Sequence, residues 1–145
     1  MSAIAVDEND SITAALAVIG DRWSLLVMRS VFRGHTRFSD IRDDIGIASN
    51  LLTTRLGRLV DEGVLERQLY SERPKRYEYR LTDAGRGLSP VLISLMQWGD
   101  SYRNGGNGPT VLVHDDCGQP VHNATRCGCC DVEVDATAIR RGRRS

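Results

Sequence analysis

The chain has 145 residues, 41% hydrophobic and 26% charged, with a formal net charge of zero. That allows one compact domain with an appendage and excludes both a disordered chain and a large two-domain enzyme. No apolar run reaches the ~20 residues of a membrane helix, and the opening MSAIAVDEND is acidic where a secretory leader is basic and then apolar, so a cytoplasmic location with no membrane partner is expected. The neutral total hides a basic middle: residues 1–28 carry −3, residues 29–80 carry +3 and the remainder balances.

After a flexible start through residue 10, Ile12, Ala15, Leu16 and Ile19 recur at helical spacing, with Asp10 or Ser11 as the cap. A second helix follows Gly20-Asp21, with Trp23, Leu26, Val27, Ser30 and Val31 in its pattern, and runs to Gly34. Thr36 is expected to cap a third, burying Phe38, Ile41 and Ile45 and ending at Gly46. Ser49 is expected to cap a fourth, from Asn50 to about Glu62, burying Leu52, Leu56, Leu59 and Val60 and stopping at Gly63.

The period then changes to two over Val64–Tyr70 and again over Arg76–Leu81, which predicts an antiparallel hairpin with a charged tip between them. Thr82 is expected to cap one long final helix through Tyr102, kinked at Pro90, with Leu88, Val91, Leu92, Leu95 and Trp98 on one face. Residues 11–103 thus form the main domain, 104–110 a Gly-rich linker, 111–136 a Cys-rich tail and 137–145 a basic end, expected to be a disordered solubilising segment. Trp23 and Trp98 are expected in the core, and His35 in a solvated loop.

Two short helices joined by Gly46-Ile47-Ala48 and followed by a hairpin form a winged helix-turn-helix pattern, mostly α with a β-hairpin wing. The fourth helix then leaves Asn50, Thr53, Thr54, Gly57 and Arg58 outward. Small and amide side chains allow close approach to the major groove, while Arg58, Arg55, Arg37 and Ser49 can reach base edges or phosphates. The wing adds Arg73, Lys75 and Arg76 for phosphates or the minor groove of double-stranded DNA. An ordinary bundle could carry the same Asn, Thr and Arg as a solvated face, but it has no reason to add a hairpin with three cations at its tip.

All four cysteines lie in the tail, which opposes a disulfide framework. His114 and Cys117, then Cys127 and Cys130, make two knuckles with four donors, the number that one structural zinc per subunit requires. Cys129 is then the spare thiol and His122 the substitute if His114 is not a ligand. Free thiols and a redox disulfide stay open as alternatives.

The segments IGDRWSLLVMRSVFRG, RFSDI, IASNLLTTRLGRLVDEGVLER and YSERPKRYEYRLTDAGRGLSPVLISLMQWGD closely resemble the HxlR-type branch of the MarR-like bacterial transcriptional regulators, from about Ser11 to Asp100. The resemblance implies a homodimer packed through its first and last helices, bound to a pseudo-palindromic operator as repressor or activator. It also implies a response to a small molecule or stress signal. Many members begin the first helix with a sensor cysteine; Asp10-Ser11-Ile12 stands there, so thiol sensing at that place is excluded. The tail is similar to a zinc-ribbon-like extension of some members, with Asp131 where a second knuckle usually has Gly. A docking module of the transcription machinery is the alternative, but exposed aromatics or Met would suit docking better than Asn, Thr and Arg. A CxxC redox enzyme would place Cys127 and Cys130 at the start of a helix in a βαβ setting, which the pattern lacks. No catalytic constellation or phosphate-cradling glycine loop is visible, so no enzyme is expected.

Overall fold

Asp10 and Asp21 start the first two helices. In the computed structural model, which describes residues 10–142, the Asp10 carboxylate accepts from the Thr13 amide at 2.8 Å and that of Asp21 from the Ser24 amide at 3.0 Å. They open α1 (Ser11–Ile19) and α2 (Arg22–Phe32), which meet at a 77° bend. Then come α3 (Phe38–Ile45), α4 (Ser49–Asp61), β1 (Leu65–Glu72), β2 (Lys75–Leu81), α5 (Asp83–Arg86), α6 (Ser89–Tyr102) and a 3-10 turn, Ala136–Ala138. No single helix among the described residues is long and apolar enough to cross a membrane. Of the ends expected to be flexible, 1–10 and 137–145, residues 1–9 and 143–145 lie outside the described residues, while Asp10 caps α1 and residues 137 and 138 belong to the 3-10 turn.

Two compact units divide the chain, one ending at Leu92 and one beginning at Ile93. The second therefore starts inside α6, upstream of the 104–110 segment expected as linker. In the first unit, α2 supplies Val27, Met28 and Val31 to a core completed by Ile41, Ile47, Leu52, Leu56, Leu59, Val64 and Leu65. The i, i+4, i+7 spacing of Leu52, Leu56 and Leu59 fastens one stripe of α4 to this core and turns the other outward. Gly46 (φ 67°) and Gly63 (φ 74°) end α3 and α4 in the left-handed region, as their positions predict.

Four local expectations are corrected. Thr36 does not cap α3: Arg37 stands at the cap without a side-chain bond, while the Thr36 carbonyl accepts from the Tyr79 amide at 2.7 Å and ties the helix to the wing. Ser49 is already inside α4, behind Ala48. The final helix is two helices: Thr82 caps only α5, and α6 begins just before Pro90, because proline lacks the N–H that a helix interior needs but not its first turn. Finally, the stripes on α1 and α6 are not core. Of the four apolar positions read on α1 only Ile19 is buried, and Trp98 is 52% exposed.

The Thr82 hydroxyl also donates to the Val64 carbonyl, at 3.0 Å, closing the base of the hairpin against α5. Gly85 is pressed against the same carbonyl, so an added Cβ falls on backbone that cannot swing aside. Gly85→Ala is expected to cost ~1–3 kcal/mol by overpacking, read as a lower midpoint in urea unfolding with an unchanged slope.

Candidate nucleic-acid interface

The outward face of α4 exposes Ser49, Asn50, Thr53, Thr54, Gly57 and Arg58. Its polar groups are partly committed to the helix. Thr53 donates its hydroxyl to the Ser49 carbonyl at 2.9 Å and Thr54 to that of Asn50 at 3.2 Å, fixing both side chains and leaving their oxygens to accept and their methyls to make apolar contact. The Asn50 side-chain oxygen accepts from the Leu51 amide at 2.9 Å, so its NH₂ group is the end left to donate.

Two arginines expected on this surface are engaged with the protein. Arg58 donates to the Ala17 carbonyl and pins α4 to α1. Arg55 Nε lies 3.0 Å from the Asp21 carboxylate as an ion pair without hydrogen-bond alignment. Asp21 therefore caps α2 and anchors α4 at once. Spacing alone puts both arginines near the reading face; their inward partners come from helices far off in the chain, and nothing in the local sequence signals them.

His35 is likewise not a free loop residue. Its Nδ1 lies 3.1 Å from the Ser30 hydroxyl and 3.5 Å from Asp44, whose carboxylate also meets Arg33 at 3.3 Å and Arg29 at 4.0 Å. This cluster joins the end of α2 to α3. Burial pushes the Asp44 carboxyl up, but the Ser30 hydroxyl and the charges of Arg33, His35 and Arg29 outweigh it, so the group ends below its ordinary value. Asp21 behaves alike: burial raises it, while the Ser24 hydroxyl and amide and Arg55 bring it below normal. Both folded values lie under the unfolded ones, so their stabilisation is full above about pH 4 and is lost as pH falls through the folded values. Asp44→Asn is expected to be less stable than wild type at pH 7, with a stability that falls less steeply on acidification, read by urea unfolding followed by circular dichroism at pH 7 and at pH values below about 4.

In the wing, Leu65 pairs with Leu81 at the base and Glu72 with Lys75 at the tip, leaving Arg73 in the turn; Arg73, Lys75 and Arg76 are all exposed. A bulge between Leu69 and Ser71 turns Tyr70 out of the ladder, and the Arg37 guanidinium sits 4.6 Å from the Tyr70 ring centroid. Arg37 also pairs with Glu78 at 3.5 Å, so it joins the third helix to the wing.

The second unit holds two turns of one design. His114 N donates to Gln119 O at 2.9 Å and Gly118 N to His114 O at 2.7 Å; thirteen residues on, Cys127 N donates to Val132 O at 2.9 Å and Asp131 N to Cys127 O at 3.0 Å. Gly118 (φ 68°) and Asp131 (φ 53°) fill matching left-handed positions, the latter held by Arg126 at 3.0 Å. His114 Nδ1 lies 3.4 Å from Cys117 Sγ, and the Cys130 and Cys129 amides lower the Cys127 thiol. The structure thus brings His114 to Cys117 and Cys127 to Cys130; among the described residues no group of three or more such donors is gathered for a metal ion. Within this unit the tail is tied to α6 by Gln97, which donates to Val121 O at 3.3 Å and accepts from Asn123 N at 3.2 Å.

A helix held by one apolar stripe, a preceding helix at a glycine turn and a cationic hairpin define the chain as a winged helix-turn-helix protein of the DNA-binding regulator class. Residues 18–106 match the HxlR-like helix-turn-helix family, and the chain belongs to it. An uncharacterized HTH-type transcriptional regulator of Mycobacterium tuberculosis is 41% identical over 133 residues, 91% of this chain and 84% of that one. The crystal structure of PA1607, a candidate transcription factor, superposes with a TM-score of 0.84 at 37% identity over 95% of this chain and 97% of that one. The reduced form of the redox regulator HypR gives 0.61 at 31% identity over 66% and 95%. The chain is a transcriptional regulator of the HxlR type, a family defined by DNA binding and not by catalysis.

Proposed function

We propose that the protein works in the cytoplasm as a homodimer on a pseudo-palindromic operator, has no enzymatic activity, and is set by a small molecule or stress signal. The observation that carries the dimer is the apolar surface left on α1 (Ile12 69% and Leu16 56% exposed) and on α6, where Leu95, Trp98 and Tyr102 are exposed. A lone chain gains nothing by leaving such residues in water, whereas packing against a second copy removes them from it. Two-fold symmetry then spaces the half-sites about one helical turn, ~10 bp, or a multiple apart. Sedimentation with footprinting tests this: twice the chain mass of 16.1 kDa and a symmetric footprint are expected, and a monomer protecting one asymmetric site overturns it.

On this reading Asn50, Thr53 and Thr54 face base edges; Ser49, Arg37, Arg73, Lys75 and Arg76 meet phosphates; and Arg55 and Arg58 hold α4 in position. The Ser30, His35 and Asp44 contact is not a nucleophile relay. One ring nitrogen faces both partners and Ser30 is fully buried.

The tail is proposed to hold one zinc per subunit through His114, Cys117, Cys127 and Cys130. Two equal turns, each with two soft or borderline donors, fit a structural zinc, which would supply cross-linking that this thinly apolar segment lacks. Metal analysis after purification without added zinc is expected to give one equivalent per chain, lost in Cys127→Ser and kept in Cys129→Ser. Full metal in the first variant and loss in the second refute the ligand set.

A further inference from the structure

The charge changes sign abruptly near the end of the chain. Residues 111–136 carry five carboxylates against one cation, Arg126, whereas residues 137–145 carry four arginines and no acid, in the run Arg140-Arg141-Gly142-Arg143-Arg144. Two of the carboxylates nearest in sequence are already engaged. Asp135 accepts from the Thr137 amide at 2.8 Å and from its hydroxyl at 2.5 Å, capping the 3-10 turn, and Asp131 holds Arg126 at 3.0 Å. Arg140 and Arg141 follow that turn and its end residue Ile139; both are exposed, and neither pairs with a carboxylate among the described residues. Gly142 has no left-handed φ and has open space where a Cβ would stand, so nothing in the fold asks for a glycine there. The chain has a single lysine, so the signal is the clustering and not the choice of arginine.

We propose that Arg140 and Arg141 begin a basic arm that enters the minor groove of duplex DNA, a contact additional to those of α4 and the wing. Cations so crowded, with neighbouring carboxylates committed elsewhere, call for a polyanion. A membrane surface needs more apolar anchorage than the lone Ile139 beside the run. A narrow A·T minor groove concentrates negative potential and takes arginine readily, since a guanidinium is planar and more weakly hydrated than an ammonium. The glycine, unexplained by the fold, lets the backbone between two arginine pairs approach the groove floor. That groove presents A·T and T·A alike, so the arm favours A·T-rich DNA without reading a sequence. The assignment rests on the regulator reading of the chain.

The test titrates the full wild-type chain and the double variant Arg140→Ala, Arg141→Ala by fluorescence anisotropy across salt concentrations. The duplexes share one core site, selected from random sequence by the wild type, and differ only in the pairs around it, all A·T or all G·C. Wild type is expected to bind the A·T-surrounded duplex about tenfold more tightly. The variant is expected to lose that preference and about two units of salt slope, one for each cation removed. Its urea midpoint and its preference within the core site are expected to stay unchanged, because both side chains are exposed and outside the winged helix. A variant with the wild-type slope and the wild-type preference overturns the arm. A reduced slope in a protein indifferent to the surrounding pairs overturns groove entry and leaves phosphate contact alone. Binding to phosphatidylserine vesicles that the variant loses, with its duplex binding unchanged, assigns the arm to membranes and overturns the proposal. A wild type that binds no duplex refutes the regulator reading and takes the arm with it, a result distinct from the other three.

Discussion

Leu56→Ala is expected to lower stability by ~2–5 kcal/mol, a large share of the ~5–15 kcal/mol of an ordinary domain. Leu56 is fully buried midway along α4, between Leu52 and Leu59. Removing its side chain leaves a cavity beneath the very helix whose other face is exposed for recognition. Thermal unfolding is expected to shift down by roughly 10 °C, and operator affinity to fall with it although no DNA-facing group has changed. An unfolding midpoint within a degree of wild type contradicts the packing described above.

The second large effect separates reading from positioning. Asn50→Ala is expected to cost ~1–3 kcal/mol on the cognate operator and to relax preference at one base position, since it removes a donor on the outer face of α4. Arg73→Ala or Lys75→Ala is expected to weaken binding to cognate and scrambled duplexes alike and to reduce the salt slope by about one, each having removed roughly one phosphate contact. Arg58→Ala belongs to neither group. Its contact is with the Ala17 carbonyl, so it is expected to loosen α1 from α4 and lower the melting temperature before it changes base preference. Titrations across salt with both duplexes, beside thermal melts, distinguish the three. A wing variant that loses only cognate binding, or an Asn50 variant that loses both equally, reverses the roles.

Much of the winged helix was legible in the sequence because its signals are local. Apolar residues at periods of 3.6 and 2 mark α2, α4 and the hairpin, and Gly46 and Gly63 mark helix ends that need a left-handed residue. What escaped was set by distant partners. Thr36 looks like a cap until β2 arrives to take its carbonyl, and Arg58 looks like a base reader until α1 offers one. The same pattern that predicts burial on α1 and α6 cannot say whether the covering surface belongs to this chain or to another, and Trp98 is exposed. Periodicity also cannot show where a strand bulges, so the turning of Tyr70 out of the ladder had no forerunner in the pattern.

Gly57 sits on the exposed face of α4 with open space where a Cβ would be. A glycine inside a helix forfeits ~0.5–1 kcal/mol relative to alanine, so the free protein carries an unclaimed reserve at that position. Ordinary thermostabilisation would take it first. On the proposed reading of α4 as the recognition helix, it is also a place where a duplex can approach the backbone closely, and a methyl there would hold the two apart. A hardier variant of this regulator and a tighter-binding one therefore make opposite demands on the same residue.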